Sequence, residues 1–465
     1  MGGVDLVWVR GGDSWFMAVE SDPCTTGIPG KRESSGQKAV TAVQRRYLGL
    51  GAAGLATAMA LTLTSCGSGS GGGDAVTLKL VAADYGDSKA NSSQKYWDRL
   101  SRAFEKTNPK IKIDVQVYSW TEVDKKVEDL VKAGKAPDMA QVGAYADYAA
   151  KGRLYSADQL LSIPTQADFT PALAQAGEYQ RTQYGMPFGA STRRLFYNKK
   201  LFAEAGITDP PQSWADVARD AGRLKARGVK MPFALPLGPE ETQAETLLWM
   251  LGGGGGYTDS IGKYAIDSPE NVKTFEWLRT ELVGKGLTGA SPAKLNREDA
   301  FAAFADGDVG MLNGHPTLMK QAEAKGIDYG TVELPGAGGK AKSTMGVADW
   351  MMAFKQNGHQ AQVGKFLDFV YNEKNVLDFS GTYGLLPVTT SASEAMLADG
   401  KYSKLHSFLK QLKNAEFYPA NKTSWPLVSK TLKAKMGTVV GPRGNPAGVL
   451  TDIQHLADRA DSAAE

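Results

Sequence analysis

Val76-Thr-Leu-Lys-Leu-Val-Ala82 opens the stretch that decides the fold, residues 76–142. This mainly apolar run predicts a buried strand, and Asp84-Tyr-Gly-Asp87 follows it as a loop. Residues 93–107 then place apolar side chains on one face of a helix, which Asn108-Pro109 ends. The segment 111–117 alternates apolar and polar residues with a period of two, which predicts a second strand.

The same order repeats once more. Residues 121–133 predict a second helix, which Gly134 ends, and Pro137-Asp138-Met-Ala-Gln-Val142 predicts a third strand. A β-α-β-α-β order favours a parallel sheet with helices on its faces, so we expect an α/β fold. Ligands of such sheets bind beyond the carboxyl ends of the strands, here the loops 84–87 and 141–145.

An export signal is predicted upstream. Arg45-Arg46 precedes an apolar run, 47–64, which ends in Leu63-Thr-Ser-Cys66. Leu-Thr-Ser-Cys resembles the lipobox of bacterial lipoproteins, which implies lipidation of Cys66 after cleavage of residues 45–65. A transmembrane helix is the alternative, but the run is short and rich in Gly, Ala and Thr. The arginine pair is also similar to a twin-arginine signal, although Gln44 departs from it, so the export route stays open.

The segments on either side of the signal, 1–44 and 66–73, are not expected to belong to the folded part of the chain. Residues 1–44 are interpreted as an extension from a start codon placed too far upstream, with a cytoplasmic arm as the alternative. Residues 66–73 form a Gly/Ser linker. Cys24 would be absent from the mature chain and Cys66 lipidated, which excludes a disulfide and a cysteine zinc cluster.

Composition narrows the function classes. The chain has 53 Lys and Arg against 50 Asp and Glu, a net charge of +3, which gives no electrostatic case for nucleic acid. At 465 residues, two compact units are expected. The four histidines lack metal-ligand spacing, and Gly252–Gly256 is not followed by the Lys-Ser/Thr of a phosphate loop.

Six motifs in order carry a family resemblance. They are Phe104-Glu-Lys-Thr-Asn-Pro109, Gly134-Lys-Ala-Pro-Asp138, Tyr184-Gly-Met-Pro-Phe188 with Leu195-Phe-Tyr-Asn-Lys199, Pro210-Pro-Gln-Ser-Trp214, Ala302-Ala-Phe-Ala-Asp-Gly307 and Gly384-Leu-Leu-Pro387. Together they resemble the extracellular solute-binding proteins of ABC importers, in the group of maltose- and multiple-sugar-binding proteins. The resemblance covers nearly all of 75–460.

The resemblance implies a two-lobe periplasmic-binding-protein fold with a ligand cleft and hinge crossings near 186–190, 345–350 and 385–389. Lobe 1 would comprise 74–187 and 350–386, and lobe 2 would comprise 188–349 and 387–465. The function implied is capture of a mono- or oligosaccharide by hinge closure and delivery to a permease. No cofactor or metal and no catalysis are implied, and a monomer tethered outside the cell membrane by lipid alone is expected.

Carboxylates, amides and arginine suit sugar hydroxyls, and aromatic faces suit sugar C–H patches. The expected ligand-binding residues are Asp84, Tyr85, Gln141, Tyr145, Ser191, Arg193, Glu241, Asn313, His315, Asp349, Trp350, Trp425 and Arg443. Asp349 stands out from the residues alone, because a carboxylate inside the apolar run 346–354 must be paired or meet a ligand.

Several of these residues have other readings. Trp350 suits a core as well as a cleft, Glu241 also suits a helix N-terminus, and Arg443 suits a helix cap. Arg193 and Arg194 are neighbours on a strand, so only one can face the cleft, and Arg193 is chosen.

His315 and Pro316 stand where the family commonly has a Gly and a Trp. Gln141 and Tyr145 replace the Trp and Asp of the maltose binder. These departures weaken the expectation of a maltose-like stacking surface.

Two other functions stay open: an envelope enzyme acting on oligosaccharides, and a binding protein for a non-sugar solute. The adjacent Glu240 and Glu241 cannot flank one glycosidic bond at the separation of roughly 5–10 Å that hydrolysis needs.

Overall fold

The computed structural model describes residues 6–11, 14–19, 75–86 and 88–463. Contacts divide the chain into two units, Met1–Ser70 and Gly71–Glu465. In the first unit, β1 (Leu6–Gly11) pairs antiparallel with β2 (Ser14–Val19). Cys24, the signal 45–65 and the linker with Cys66 lie outside the described residues, so the lipoprotein interpretation stays a prediction.

The second unit carries the remaining elements. Its strands are β3 (Val76–Ala83), β4 (Ile111–Tyr118), β5 (Met139–Val142), β6 (Glu178–Tyr179), β7 (Thr182–Gln183), β8 (Met186–Thr192), β9 (Arg194–Asn198), β10 (Met231–Ala234), β11 (Val309–Gly314), β12 (Tyr329–Val332), β13 (Pro335–Gly336), β14 (Gly339–Lys340), β15 (Thr344–Ala353) and β16 (Ala415–Glu416). Its helices are α1 (Ser93–Thr107), α2 (Val123–Lys132), α3 (Ala146–Ala150), α4 (Ala157–Leu160), α5 (Ile163–Asp168), α6 (Pro171–Ala176), α7 (Lys199–Glu204), α8 (Trp214–Ala226), α9 (Thr242–Gly252), α10 (Pro269–Trp277), α11 (Arg297–Ala305), α12 (Thr317–Ala324), α13 (Gln360–Val370), α14 (Glu373–Tyr383), α15 (Thr390–Ala398), α16 (Ser403–Leu412), α17 (Trp425–Val439) and α18 (Pro446–Ser462). A π-helical turn, Leu278–Val283, extends α10.

Lobe 1 is built on a six-stranded sheet in the order β16-β15-β5-β3-β4, with β8 also paired to β15. The predicted parallel arrangement is confirmed, because β3 pairs in parallel with both β4 and β5. Helix α1 has the predicted bounds and buries the predicted face, including Trp97 and Phe104. The carboxyl ends of β3, β4 and β5 therefore meet at one edge, where the loops after them can face a ligand.

Lobe 2 is built on a four-stranded sheet in the order β10-β11-β9-β12. Strands β10 and β11 are parallel, whereas β9 runs antiparallel to both of its neighbours. A hydrophobic core formed by residues between 195 and 345 and between 425 and 457 covers this sheet. Helices α9, α17 and α18 contribute to it, and α17 packs against both α9 and α18.

Three chain segments connect the lobes side by side. Strand β8 pairs antiparallel with β15 from Thr192 opposite Gly346 to Met186 opposite Met351. The backbone N–H of Leu386 donates to the carbonyl of Ala190 at 2.8 Å, which adds the third segment. A narrow set of paired strands is the kind of connection that permits hinge motion, and the exact lobe boundaries stay a prediction.

The predicted lobe boundary after 386 is less sharp than expected. Helices α15 and α16 pack behind the crossing strands, and α16 contacts β8 directly. Their apolar side chains, such as Phe408, join a cluster that also contains lobe 1 residues such as Trp97. Across the described residues no helix combines the length and apolar character needed to cross a membrane.

Candidate functional site

The lobe 1 wall of the cleft centres on Asp349, which lies on β15 where the strand passes between the lobes. Its Oδ2 accepts a hydrogen bond of 2.7 Å from the hydroxyl of Tyr85. That hydroxyl accepts in turn from Nε2 of Gln141 at 2.7 Å, and Oε1 of Gln141 accepts from the backbone N–H of Ala83. A β-bulge at Asp349 and Trp350 shifts the register with β8, a common way to re-aim a side chain at a functional site.

The lobe 2 wall is an alternating network of arginines and glutamates. Arg193 lies between β8 and β9, and its guanidinium donates to Oε1 of Glu241 at 3.0 Å and to Oγ of Ser191 at 2.9 Å. Nε of Arg297 lies 2.6 Å from Oε2 of Glu241, and its Nη2 pairs with Glu240. Because Arg193 and Arg297 are balanced by Glu240 and Glu241, this wall carries donors and acceptors without a surplus cation.

The two walls influence each other electrostatically. Burial raises the pKa of Asp349 to about 7, the hydrogen bond from Tyr85 lowers it, and the charges of Asp124, Arg193 and Glu241 also act on it. Asp349 lies opposite Gly189 on the paired strands β15 and β8, and Arg193 directly follows β8, so the carboxylate and the ion-paired network are near each other at the crossing strands. Carboxylate and guanidinium groups can form strong hydrogen bonds with a ligand that is rich in hydroxyl groups.

A buried carboxylate, that of Glu245, lies next to the network of arginines and glutamates. Oε1 of Glu245, on α9, accepts from Nε1 of Trp249 at 2.7 Å and from Nδ2 of Asn313 at 2.9 Å. Burial raises the pKa of Glu245 to about 7, although both hydrogen bonds lower it. Asn313 is 8% exposed, so the structure uses this amide to hold Glu245 and leaves little of it for a ligand.

His315 lies beside the arginines, with its ring against Phe301 at 4.9 Å and Nδ1 2.9 Å from the hydroxyl of Thr317. Burial and the positive charges of Arg193 and Arg297 hold the pKa of His315 well below its usual value. The imidazole is therefore neutral at physiological pH and acts as a hydrogen-bonding group without charge.

Aromatic rings line the cleft on the lobe 2 side. The ring of Tyr418 stacks on Trp425 at 5.3 Å with an interplanar angle of 25°, and Tyr257 packs on the same indole at 5.2 Å. The charges of Glu241 and Arg193 act on Tyr418, which places it next to the network. Its hydroxyl is buried and makes no well-formed hydrogen bond among the described residues, although the side chain of Gln243 is near enough to act on its pKa.

One further aromatic residue belongs to lobe 1. Trp120 follows β4 at the carboxyl edge of the sheet and packs edge-on against Tyr85 at 5.3 Å. Its exposed fraction is 38%, whereas most large apolar side chains of the described residues are buried. An exposed indole beside the Tyr85–Asp349 pair can stack on the C–H face of a sugar.

Two cavities open on either side of the segment 420–423 and have walls from both lobes. One, of about 500 Å³, lies between α2 and α3 of lobe 1 and Trp425 with its neighbours in lobe 2. The other, of about 580 Å³, lies between α6 with Tyr179 and Gln180 on one side and Tyr418 with the loop at Ile261 on the other. Cavities of this size at a lobe interface are typical of small-molecule sites.

Two predicted stacking residues lie in the interior of lobe 1 instead of the cleft. Trp350 is 2% exposed and packs against the ring of Tyr145 at 5.3 Å. The hydroxyl of Tyr145 donates to the carbonyls of Ala176 and Glu178. These contacts leave neither ring free for a ligand, which corrects the expectation for Tyr145 and Trp350, and the core alternative given for Trp350 fits its burial.

Three other predicted residues have structural partners. The carboxylate of Asp84 accepts from the backbone amides of Gly86 and Ser93 and from the hydroxyl of Ser92, so it closes the loop at the start of α1. Burial raises the pKa of Asp84, but these hydrogen bonds lower it by more, so the pKa lies below its usual value. Gln141 positions Tyr85, as described above. Ser191 accepts from Arg193 and orients that guanidinium.

Arg443 is exposed in the turn between α17 and α18. Trp425 begins α17, and the helix spans 15 residues, or about 22 Å at 1.5 Å per residue. Arg443 therefore lies beyond the opposite end of that helix from Trp425, and its contact with a ligand stays a prediction.

Sequence reasoning missed Trp120, Arg297 and Tyr418. Trp120 could have been found, because it follows a parallel strand at the edge where ligands bind. Arg297 begins α11 and meets Glu240 and Glu241 only through the fold, and no local pattern marks it. Tyr418 has no local signal either, since its importance comes from a buried hydroxyl without a well-formed hydrogen bond.

Comparison with known proteins gives a consistent picture. Residues 86–376 match the family of bacterial extracellular solute-binding proteins. A binding protein of Brucella abortus is 26% identical over 390 residues, which cover 83% of this chain and 93% of the relative. The sn-glycerol-3-phosphate-binding periplasmic protein UgpB of Salmonella typhimurium is 27% identical over 365 residues, covering 71% of this chain and 82% of UgpB.

Solved structures show the same fold at lower identity. The cyclic alpha-maltosyl-1,6-maltose binding protein of Arthrobacter globiformis superposes with a TM-score of 0.70 at 17% identity, covering 84% of this chain and all of that one. The GacH receptor of Streptomyces glaucescens, solved without ligand and with acarbose, superposes with a TM-score of 0.70 at 19% identity. The match covers 83% of this chain and 99% of the receptor. With more than half of its length matched to the family and the two-lobe fold in place, the chain belongs to the bacterial extracellular solute-binding proteins of ABC transporters.

Proposed function

We propose that this protein is the lipid-anchored substrate-binding component of an ABC importer, which captures a neutral mono- or oligosaccharide by hinge closure and delivers it to the membrane permease. The protein acts as a monomer outside the cell membrane, held there by the lipid on Cys66. The observation that carries the proposal is that the Tyr85–Asp349 pair and the network of Arg193, Glu241 and Arg297 lie at the same paired strands, β15 and β8.

The chemistry of these walls matches a sugar. Carboxylates and a guanidinium form strong hydrogen bonds with hydroxyl groups because one partner of each bond is charged. Trp120 offers a flat face beside the Tyr85–Asp349 pair, and the stacked rings of Tyr418 and Trp425 lie on the lobe 2 side. A ligand with hydroxyls on its edges and C–H groups on its faces satisfies both kinds of wall.

The charge balance favours a neutral ligand over a phosphate ester. UgpB proteins bind sn-glycerol-3-phosphate, so a phosphorylated polyol is the natural competitor among known relatives. In this chain, however, Arg193 and Arg297 are both paired with Glu240 or Glu241, and Asp349 and Glu245 lie nearby. A phosphate entering here would meet ion-paired arginines and additional carboxylates, which disfavours it electrostatically.

A calorimetric panel tests the ligand class. Glucose, maltose, maltotriose and sn-glycerol-3-phosphate are titrated into the purified protein, and we expect saturable binding of a neutral sugar and none of the phosphate ester. The variant Glu240→Gln/Glu241→Gln frees both arginines, and it is expected to bind the sugar more weakly and to gain affinity for the phosphate ester. Binding of the ester alone by the unaltered protein, or turnover of an oligosaccharide, would refute the proposal.

Closure is tested separately. A ligand drives closure only through its extra affinity for the closed state, so the radius of gyration should fall when the sugar is bound. Small-angle scattering with and without sugar measures this change. An identical scattering profile at saturating sugar would contradict hinge closure even if binding is observed.

The anchor is tested on the export product. Mass spectrometry of the membrane fraction should find a lipid-modified amino-terminal Cys66. The variant Cys66→Ser should release the protein from the membrane without changing its affinity for sugar. Retention of the variant in the membrane would refute anchoring by lipid.

A further inference from the structure

A further pocket, separate from the two cavities described above, lies behind the crossing strands and differs from the cleft in its charge. It has a volume of about 440 Å³, and its walls come from the start of β9, the end of β12, the start of β15 and one side of α16. Arg194 contributes to it, whereas its neighbour Arg193 faces the cleft, because successive side chains of an extended segment point to opposite sides. We call it the hinge pocket.

Four cations line the hinge pocket, namely Arg194, Lys342, Lys410 and Lys413. None of the four has an ion-pair partner within the described ranges. The one carboxylate in the lining, Glu333, is already paired with Lys340 at 3.0 Å. Glu416, nearby, accepts a hydrogen bond from Ser343 at 2.8 Å. The pocket therefore carries a surplus of positive charge.

Arg194 is not an ordinary surface arginine. Its guanidinium lies over the ring of Phe408 at 5.8 Å, and its Nε donates to the hydroxyl of Thr331 at 3.3 Å. Burial lowers the pKa of Arg194, and the charge of Glu333 only partly opposes this. A partly desolvated guanidinium without a counter-ion is costly unless an anion enters from outside the chain.

An uncharged hydrogen-bond donor near the pocket also favours an anionic ligand. The side-chain Nε2 of Gln411, on the α16 wall, is buried and has no hydrogen-bond acceptor among the residues that the structure describes. Buried donors in folded proteins are nearly always satisfied, so a rotation of this amide into the pocket would let it meet an acceptor on a ligand. A planar guanidinium, flexible ammonium groups and an amide donor form the set that recognises the oxygen atoms of a phosphate.

We propose that the hinge pocket binds a phosphate group. The group comes either from a free phosphorylated solute or from the headgroup of an anionic phospholipid, since both present the same oxygen atoms. The site is distinct from the sugar cleft, because it lies on the other side of the strands that carry Arg193 and Asp349. Its walls include the starts of β9 and β15, which lie next to the crossings.

Calorimetry with inorganic phosphate, at an ionic strength held constant with sodium chloride, tests the site. We expect one saturable site, and Lys410→Gln/Lys413→Gln should weaken binding at least tenfold. Both lysines are exposed, so these substitutions leave the fold intact. The matched control is Lys106→Gln/Lys110→Gln, which removes two exposed lysines at the far end of α1 and should bind phosphate as the unaltered protein does.

Co-sedimentation with vesicles distinguishes the two sources. Binding to phosphatidylglycerol vesicles but not to phosphatidylcholine vesicles, lost in the Lys410/Lys413 variant and kept in the control, assigns the site to a lipid headgroup. Phosphate binding without vesicle binding assigns it to a free phosphorylated solute. Absence of saturable phosphate binding, or an equal loss in the control variant, would overturn the proposal, and neither result affects the sugar cleft.

Discussion

The hydroxyl of Tyr85 lies 2.7 Å from Oδ2 of Asp349, although 264 positions separate the two residues in the chain. The pair joins the loop after the first strand of lobe 1 to the strand that crosses between the lobes. Gln141 donates to the same hydroxyl, so Tyr85 must donate to Asp349, and the second oxygen of the carboxylate stays available to a ligand. A small set of fixed hydrogen bonds thereby orients the acceptor that we place at the centre of sugar binding.

Asp349→Asn should weaken sugar binding about tenfold, because a hydrogen bond to a charged acceptor is replaced by one to a neutral amide. The amide oxygen can still accept from Tyr85, so the fold should be unharmed, and removal of a buried charge should leave the melting temperature equal or higher. Calorimetry and thermal unfolding measure the two effects. An unchanged dissociation constant would remove Asp349 from the site.

Tyr418→Phe separates binding from stability. The hydroxyl of Tyr418 makes no well-formed hydrogen bond among the described residues, so its removal should leave the free energy of unfolding unchanged or slightly higher while sugar affinity falls several-fold. Tyr145→Phe is the matched control, because that hydroxyl donates to two carbonyls inside lobe 1. The control should lose stability by about 1–3 kcal/mol and keep its affinity. The opposite pattern would show that Tyr418 is a structural residue.

Trp120→Ala should reduce sugar affinity about tenfold with little change in stability, since its indole is 38% exposed and its main described contact is the edge of Tyr85. Trp425→Ala should instead destabilise the protein by about 3–5 kcal/mol, because Trp425 is 8% exposed and packs between Tyr418 and Tyr257. Ile163→Ala, at an apolar residue 81% exposed on α5, should change neither quantity. If Trp120→Ala binds sugar normally, a lobe 1 stacking surface must be sought elsewhere.

The sequence was sufficient for the elements that local patterns control. The helix at 93–107 and the parallel strands around it follow from periodicity and from the Asn-Pro stop, and the alternation rule separates Arg193 from Arg194. Asp349 was recognisable because a carboxylate in an apolar run demands a partner. The orientation of Trp350 could not be predicted from the sequence, because it depends on the bulge between Asp349 and Trp350. That bulge appears only in the pairing of β15 with β8.

The ion-paired wall illustrates a second limit. Glu240 and Glu241 look like ordinary acidic residues before a helix, and nothing near them in the chain indicates that Arg297 will bind both. Long-range pairing of this kind is fixed by the packing of α11 against the rest of lobe 2. Residue type and spacing therefore predict which groups are available, whereas the fold determines which of them remain free for a ligand.

Gly185→Ala should destabilise lobe 1. A Cβ atom at Gly185 would lie 2.7 Å from the ring of Tyr145 and 3.0 Å from that of Trp350, closer than a packed core tolerates. A cost of about 1–3 kcal/mol is expected, measured as a lower denaturation midpoint in urea. Gly222→Ala is the control, because nothing lies within 4 Å of a Cβ there and the residue is inside α8. That substitution should stabilise the protein by about 0.5–1 kcal/mol, and equal effects of the two would contradict the packing described around Trp350.

Glu245 makes stability depend on pH in a defined direction. Burial raises the pKa of Glu245 to about 7 in the folded protein, against an ordinary value of 4.5. Between these two values the folded state holds a proton that the unfolded state has released. The stabilising effect of this proton is complete below about pH 4.5 and is lost as the pH rises through about 7. Asp349, whose pKa is also raised to about 7, contributes in the same direction.

Glu245→Gln isolates this contribution. A glutamine can accept from Trp249 and Asn313 at the same oxygen but cannot titrate, so the variant should lose less stability than the unaltered protein between pH 5 and pH 7.5. Urea unfolding at several pH values measures the slope, and each unit of pKa shift corresponds to about 1.4 kcal/mol. Asp349→Asn should flatten the slope independently, and the double variant should flatten it further, because the two carboxylates lie on different lobes. If the slope between pH 5 and pH 7.5 is the same in all four proteins, neither carboxylate is held protonated by burial, and the low-polarity setting inferred for the cleft is wrong.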